Sequence, residues 1–273
     1  MDTLHSLFEA CVAKYANNVF LLEKRNNMYN GATYKEVRES VHDFSAGLIN
    51  LGIQKGDRIA LLSEGRNKWV ISELGILFAG AINIPLSIKL SEPAEIKFRL
   101  AHSGTRMVII SKFQLKKIRA IKNELPELER IIVLDDIEKP EEKEIKFADI
   151  AKEGHRLLAK NRSFYQERWN SVAGDDYANI CYTSGTTADP KGIILTHRNY
   201  TANIEQSLSL FSVPEWWTTL LILPWDHAFA HTCGIYTLMS CGASMAAIHV
   251  GDSPVETLKN ISVNIREIRP AFL

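Results

Sequence analysis

Between Tyr182 and His197 the chain reads Tyr-Thr-Ser-Gly-Thr-Thr-Ala-Asp-Pro-Lys-Gly-Ile-Ile-Leu-Thr-His. Hydroxyls at Thr183, Ser184, Thr186 and Thr187, glycines at 185 and 192, and the cation of Lys191 fall in one short run. Backbone N–H groups freed by glycine can converge, hydroxyls can donate and an ammonium can neutralise, so the natural guest of such a loop is a chain of phosphates. Apolar residues before it (Ala178, Ile180, Cys181) and after it (Ile193, Ile194, Leu195) predict strand, polar loop, strand. A Walker A loop is excluded, because that pattern places Ser or Thr after the lysine and opens a helix, whereas Gly192 and a β-type run follow Lys191. The alternative is a hydroxyl-rich hairpin turn that binds nothing.

The order Thr-Ser-Gly-Thr-Thr-x-x-Pro-Lys-Gly, followed by Thr196, His197, Arg198 and Asn199, closely resembles the phosphate-loop signature of the adenylate-forming superfamily. That superfamily includes acyl-CoA and aryl-CoA synthetases, luciferases and the adenylation domains of peptide synthetases. Ala188 stands where the signature usually has glycine. Leu223-Pro224-Trp225-Asp226-His227 resembles a second signature, whose histidine lies at the junction of acyl and nucleotide sites; where long-chain relatives continue with Glu-Arg, this chain has Ala230 and His231. The stretches Gly56–Glu64 and Asn83–Leu86 are similar to parts of long-chain acyl-CoA synthetases.

The resemblance implies an ATP-dependent ligase that forms an acyl-adenylate and then an acyl-CoA, with a fatty acid as its carboxylate substrate and coenzyme A as co-substrate. It implies that Thr183, Ser184, Gly185, Thr186, Thr187 and Lys191 hold the ATP phosphates, that Thr187 serves Mg²⁺, and that Lys191 and His227 are catalytic. It also implies an N-terminal fragment of such an enzyme, inactive alone, built as two stacked α/β subdomains: 1–170, and 171–273 as the start of the second. Self-association through a truncated sheet edge would follow. An aryl or amino acid substrate, or a non-catalytic nucleotide-binding or scaffold domain, are the alternatives. His227 and His231 are spaced to share a helix face as a metal pair, but the glutamate of His-Glu-x-x-His is absent and no third ligand is apparent, which speaks against zinc.

The elements that must position these residues read as α/β. Helical spacing predicts helices at 3–15, 67–80, 91–101, 113–125, 147–160, 197–211 and 254–268. Thr33 and Glu36 predict a capping box, with Gly52 at that helix's stop. Strands are expected at 19–23, 28–32, 58–62, 82–86, 107–111, 131–134, 219–223 and 244–248. Such alternation implies mostly parallel sheets covered by helices. The charged run Asp135–Lys146 reads as a solvated loop, and Arg162–Asp176 as an irregular boundary.

Thirty-two basic residues balance thirty-two acidic ones among 273, so no net field favours nucleic acid. Cys11, Cys181, Cys233 and Cys241 form no Cys-x-x-Cys pair and read as reduced core thiols. The first residues lack a signal-peptide pattern, which gives a cytoplasmic expectation. The apolar runs Trp69–Leu86 and Ala228–Val250 read as buried helix then buried strand, with membrane contact at most peripheral.

Overall fold

The computed structural model describes residues 1–183, 189–251 and 253–273. Helix α1 (Leu4–Tyr15) is capped by Thr3, whose Oγ1 accepts the Ser6 N–H, and leads into the hairpin β1 (Val19–Arg25) and β2 (Met28–Thr33). Asn26 and Asn27 turn that hairpin with φ of 50° and 61°. This left-handed pair is the two-residue turn that matches strand twist, and it lets β1 run past the residues expected from pattern alone. The capping box forms as predicted: the Thr33 N–H donates to Glu36 Oε2 (2.7 Å) and the Glu36 N–H to Thr33 Oγ1 (3.2 Å), opening α2 (Tyr34–Asn50).

The alternation then follows as β3 (Arg58–Leu62), α3 (Asn67–Phe78), β4 (Ile82–Pro85), α4 (Pro93–Ser103) and β5 (Met107–Ile110). The helix expected over 113–125 is shorter: α5 covers Leu115–Arg119 and a 3₁₀ turn covers Lys122–Glu124. Pro126 forces the residue before it out of the helical region, and Leu125 sits at φ −119°, ψ 86°. After β6 (Arg130–Val133), the expected solvated loop contains a short strand, β7 (Glu144–Lys146), parallel to β6. Its charge is matched by Arg119, whose Nε and Nη2 donate to the two Glu144 oxygens at 2.7 and 2.8 Å.

Helix α6 (Phe147–Lys160) has its predicted bounds, but the expected irregular stretch beyond it holds α7 (Ser163–Asn170). The Ser163 N–H donates to Asn161 Oδ1, and Tyr165 and Trp169 pack one turn apart around His42. Three aromatics in a polar eight-residue helix, Phe164, Tyr165 and Trp169, leave too little apolar period to read. There follow β8 (Tyr177–Thr183), β9 (Lys191–Thr196), α8 (His197–Leu210) and β10 (Thr218–Leu221). A π-helix (Ala230–Tyr236) then runs into α9 (Thr237–Ser240), β11 (Ser244–Ala247) and α10 (Pro254–Ile268).

Contacts gather the chain into two compact units, one of Met1–Glu39, Glu64–Val70 and Arg198–Leu273, the other of Ser40–Ser63 and Ile71–His197. The subdomains 1–170 and 171–273 are kept as a proposal about the domain plan; the contact units are interleaved along the chain. The first unit holds a four-stranded sheet, β10-β11-β1-β2, parallel except for β2. The second holds seven strands, β7-β6-β5-β3-β4-β8-β9, parallel except for β9. One face of this larger sheet (Leu62, Ile84, Val108, Ile110, Val133) packs on Ile96 and Leu100 of α4 and Leu115 and Ile118 of α5. Strands of such continuous apolar residues are what a doubly covered parallel sheet requires. In the same unit α2 and α6 meet backbone to backbone, since a Cβ on Gly154 would lie 1.8 Å from the Asp43 carbonyl oxygen.

Cys11 and Cys181 are buried, and all four cysteines are free thiols; burial, with a smaller push from Cys241, raises the Cys11 thiol to about 12. Among the described residues no helix is long and apolar enough to cross a membrane.

Candidate functional site

Thr183 and Lys191, which flank the hydroxyl-rich run, lie on an antiparallel strand pair of the second unit. Thr183, the last residue of β8, is registered against Lys191, the first of β9; Tyr182 lies opposite Gly192 and Cys181 opposite Ile193. Thr183 and Lys191 are both exposed. A hydroxyl-bearing and an ammonium-bearing residue are thus cross-strand neighbours where the two strands end, a donor set suited to anionic oxygens. Ser184, Gly185, Thr186, Thr187 and Ala188 lie outside the described residues.

Two fastenings hold the hairpin from beneath. Side chains alternate along β8, so Ile180 and Tyr182 turn to the face that packs on α4 while Asn179 and Cys181 turn to the other. The Tyr182 hydroxyl donates to the Arg99 carbonyl (3.2 Å) and lies 2.8 Å from His102 Nδ1, both on α4. Burial raises its pKa. On the opposite face Asn179 Nδ2 donates to Glu73 Oε1 at 3.1 Å. Gly192 lets the strands close, because a Cβ there would lie 2.9 Å from Ile180 Cγ2.

His227 belongs to the first unit and is exposed. Its Nδ1 accepts the Phe229 N–H (3.2 Å), which fixes the neutral ring as the Nε2–H tautomer and leaves Nε2 as a donor. His231, its partner in the metal-pair reading, is fully buried. Its Nε2 lies 2.8 Å from the Trp225 carbonyl, which can only accept, so Nε2 carries hydrogen and Nδ1 accepts from the Tyr200 hydroxyl at 3.2 Å. Both ring nitrogens are thus committed to protein. Trp69 and Tyr236 meet the imidazole edge-on at centroid distances of 5.4 and 6.2 Å. The wide turn that carries His231 is a π-helix, a form frequent at functional sites.

Tyr200, Glu73 and Asn179 were not marked by sequence. Glu73 leaves a trace there as the acid that interrupts an apolar run. Tyr200 leaves none, because its partner lies 31 positions further on.

A family model described as AMP-binding enzyme matches residues 8–272, and the chain belongs to that family. The long-chain-fatty-acid–CoA ligase ACSBG2 of Xenopus laevis is 26% identical over 99% of this chain and 36% of its own length. The 4-hydroxybutyrate–CoA ligase 2 of Metallosphaera sedula is 27% identical over 91% of this chain and 42% of its own. The first relatives are thus covered over only 34–36% of their length. Among solved structures, the anthranilate CoA ligase AuaEII in complex with anthranoyl-AMP superposes with a TM-score of 0.82 at 22% identity, over 99% of this chain and 49% of that one. The long-chain-fatty-acid-CoA ligase FadD1 from Archaeoglobus fulgidus gives 0.80 at 17%, over 99% and 50%. These likenesses show a shared fold, that of adenylate-forming ligase N-terminal domains.

Proposed function

We propose that this chain is the phosphate-holding part of a ligase that activates a fatty acid, first as an acyl-adenylate and then as an acyl-CoA. The observation that carries the reading is the hairpin mouth, where Thr183 and Lys191 face each other across the signature run. The substrate class leans on the relatives' names: fatty-acid ligases recur among them, beside a 4-hydroxybutyrate ligase and, by fold, an anthranilate ligase.

In this reading a carboxylate oxygen attacks the α-phosphorus of ATP and pyrophosphate leaves. Thr183, with Ser184, Gly185, Thr186 and Thr187, holds the β- and γ-phosphates, and Lys191 stabilises the charge that grows on the leaving pyrophosphate. Mg²⁺, when bound beside Thr187, supplies further charge neutralisation. His227, with Nε2–H as donor, closes the acyl side. Such chemistry is positioning plus electrostatics, and it needs no covalent intermediate with the protein.

ATP binding by this chain in Mg²⁺, measured by calorimetry, is the test, together with pyrophosphate release by the full-length ligase against fatty, aryl and amino acids. Lys191→Ala should weaken ATP binding about ten-fold, a loss of ~1.4 kcal/mol. Unchanged affinity in that variant overturns the phosphate reading, and preferred turnover of an aryl or amino acid overturns the fatty-acid one.

A further inference from the structure

Glu73, on α3, is fully buried, as are Asn83 on β4 and Asn179 on β8. Its Oε1 accepts from Asn83 Nδ2 at 3.3 Å and from Asn179 Nδ2 at 3.1 Å. The two asparagines are the registered partners of the β4–β8 pair. That pair has a single registered position, whereas β3–β4, β3–β5 and β5–β6 each have four.

The backbone explains why the ladder is so short. The Ile82 N–H donates to the Asp57 carbonyl (2.7 Å) and the Leu86 N–H to the Leu61 carbonyl (2.9 Å), so the even-numbered amides of β4 face β3. Asn83 and Pro85 therefore face β8, and Pro85 has no N–H to give. Beyond Asn83 the main chain of β4 cannot continue donating to β8. Yet β8 bears the hairpin, and β9 is an edge strand with Ile193 and Ile194 both exposed.

A carboxyl buried where a methionine would pack costs stability, and the best-attested return for such a group is register. A slip of β8 by one residue would turn Asn179 and Cys181, and Thr183 with them, to the opposite face. We propose that Glu73 is a positioning residue of the phosphate hairpin: by holding Asn83 and Asn179 to one oxygen it sets β8 on β4, and so sets where Thr183 and Lys191 are presented. The consequence for nucleotide rests on the function proposed above; the consequence for register rests on geometry alone.

The test uses the 273-residue chain with Glu73→Met, which keeps the bulk and removes the acceptor, and Glu73→Gln, which keeps one oxygen for both amides. Amide hydrogen exchange and Mg·ATP affinity are read together. In Glu73→Met, exchange over 178–183 and 191–196 should rise by roughly ten-fold or more while β3, β5 and β6 stay protected, and ATP affinity should fall by about ten-fold. Glu73→Gln should restore both. Asn179→Ala, which removes one arm only, gives the same selective loosening and serves if Glu73→Met does not fold. A purely structural role predicts exchange rising across the whole unit in step with the melting temperature; that pattern, or unchanged protection of β8, overturns the proposal. Selective loosening in a chain whose wild type binds no ATP supports the register claim and overturns the phosphate reading instead.

Discussion

The two regions that carry the candidate chemistry are built on opposite plans. On the hairpin of the second unit, Thr183 and Lys191 stand exposed at the strand ends, and the polar bonds that steady them lie further back at Tyr182 and Asn179. In the first unit the second signature runs straight into a buried node, where His231 is bonded to Tyr200 and Trp225 and ringed by Trp69 and Tyr236. The lesson is that family signatures do not mark one kind of residue. Some positions should be dispensable to folding and decisive for ligand, and a few residues along the order reverses.

The largest expected effect breaks the buried node. His231→Leu strips partners from the Trp225 carbonyl and the Tyr200 hydroxyl inside an aromatic cage, at a cost on the order of 4 kcal/mol. Thermal unfolding checks it, and a loss below ~1 kcal/mol would mean that the node is not structural.

Acid sharpens the same contrast. His5, buried in the first turn of α1 in the first unit, is pushed down from 6.5 to about 4 by burial, against the opposing pull of Glu9. The folded pKa lies below the unfolded one, so the unfolded chain takes up the proton first. Stability is complete above pH 6.5, falls as pH drops from 6.5 to about 4, and levels off beneath. The loss is ~3 kcal/mol. Denaturant midpoints at pH 7 and pH 4 measure it, and His5→Asn should flatten the difference.

Lys191→Ala is expected to do the converse of His231→Leu. Melting should move by less than about 0.5 kcal/mol, because an exposed strand-end cation carries no packing, while ATP affinity falls about ten-fold. A variant that melts early and binds normally would invert the comparison. The smallest effect belongs to Gly192→Ala. The added methyl would lie 2.9 Å from the Cγ2 branch of Ile180, which must shift by a few tenths of an ångström, so the cost should be about 1 kcal/mol. The contrasting change is Gly65→Ala, whose methyl would meet the rigid Trp225 ring at 2.2 Å and should cost more.

What sequence revealed follows the range of the interactions involved. Helices α6 and α10 were legible at both ends because their apolar period is local, and α10 adds a Ser253 cap and Pro254. The hairpin was legible for the same reason, since hydroxyls, glycines and lysine are close in sequence. Strand β7 was not, because the triplet Glu-Ile-Lys in a charged run becomes a strand only through β6 and Arg119. The grip of Glu73 on Asn179 joins positions 106 apart, and the aromatic cage assembles residues from three separated segments. Periodicity cannot see either. Nor can it see that Pro85 silences one side of β4, since that needs the direction in which each amide points.

One feature of the smaller sheet bears on how the chain is made. Strand β1 takes β2 as its neighbour at once, but its other partner, β11, pairs Leu21 with Met245 and emerges more than two hundred residues later. At ordinary rates of translation that interval lasts roughly 10–45 s. Through it the hairpin stands without its β11 neighbour, too small to be stable alone, while the residues of the other unit, 40–63 and 71–197, are all made before β11. The nascent chain therefore completes every residue of its second unit before β1 can acquire its second neighbour.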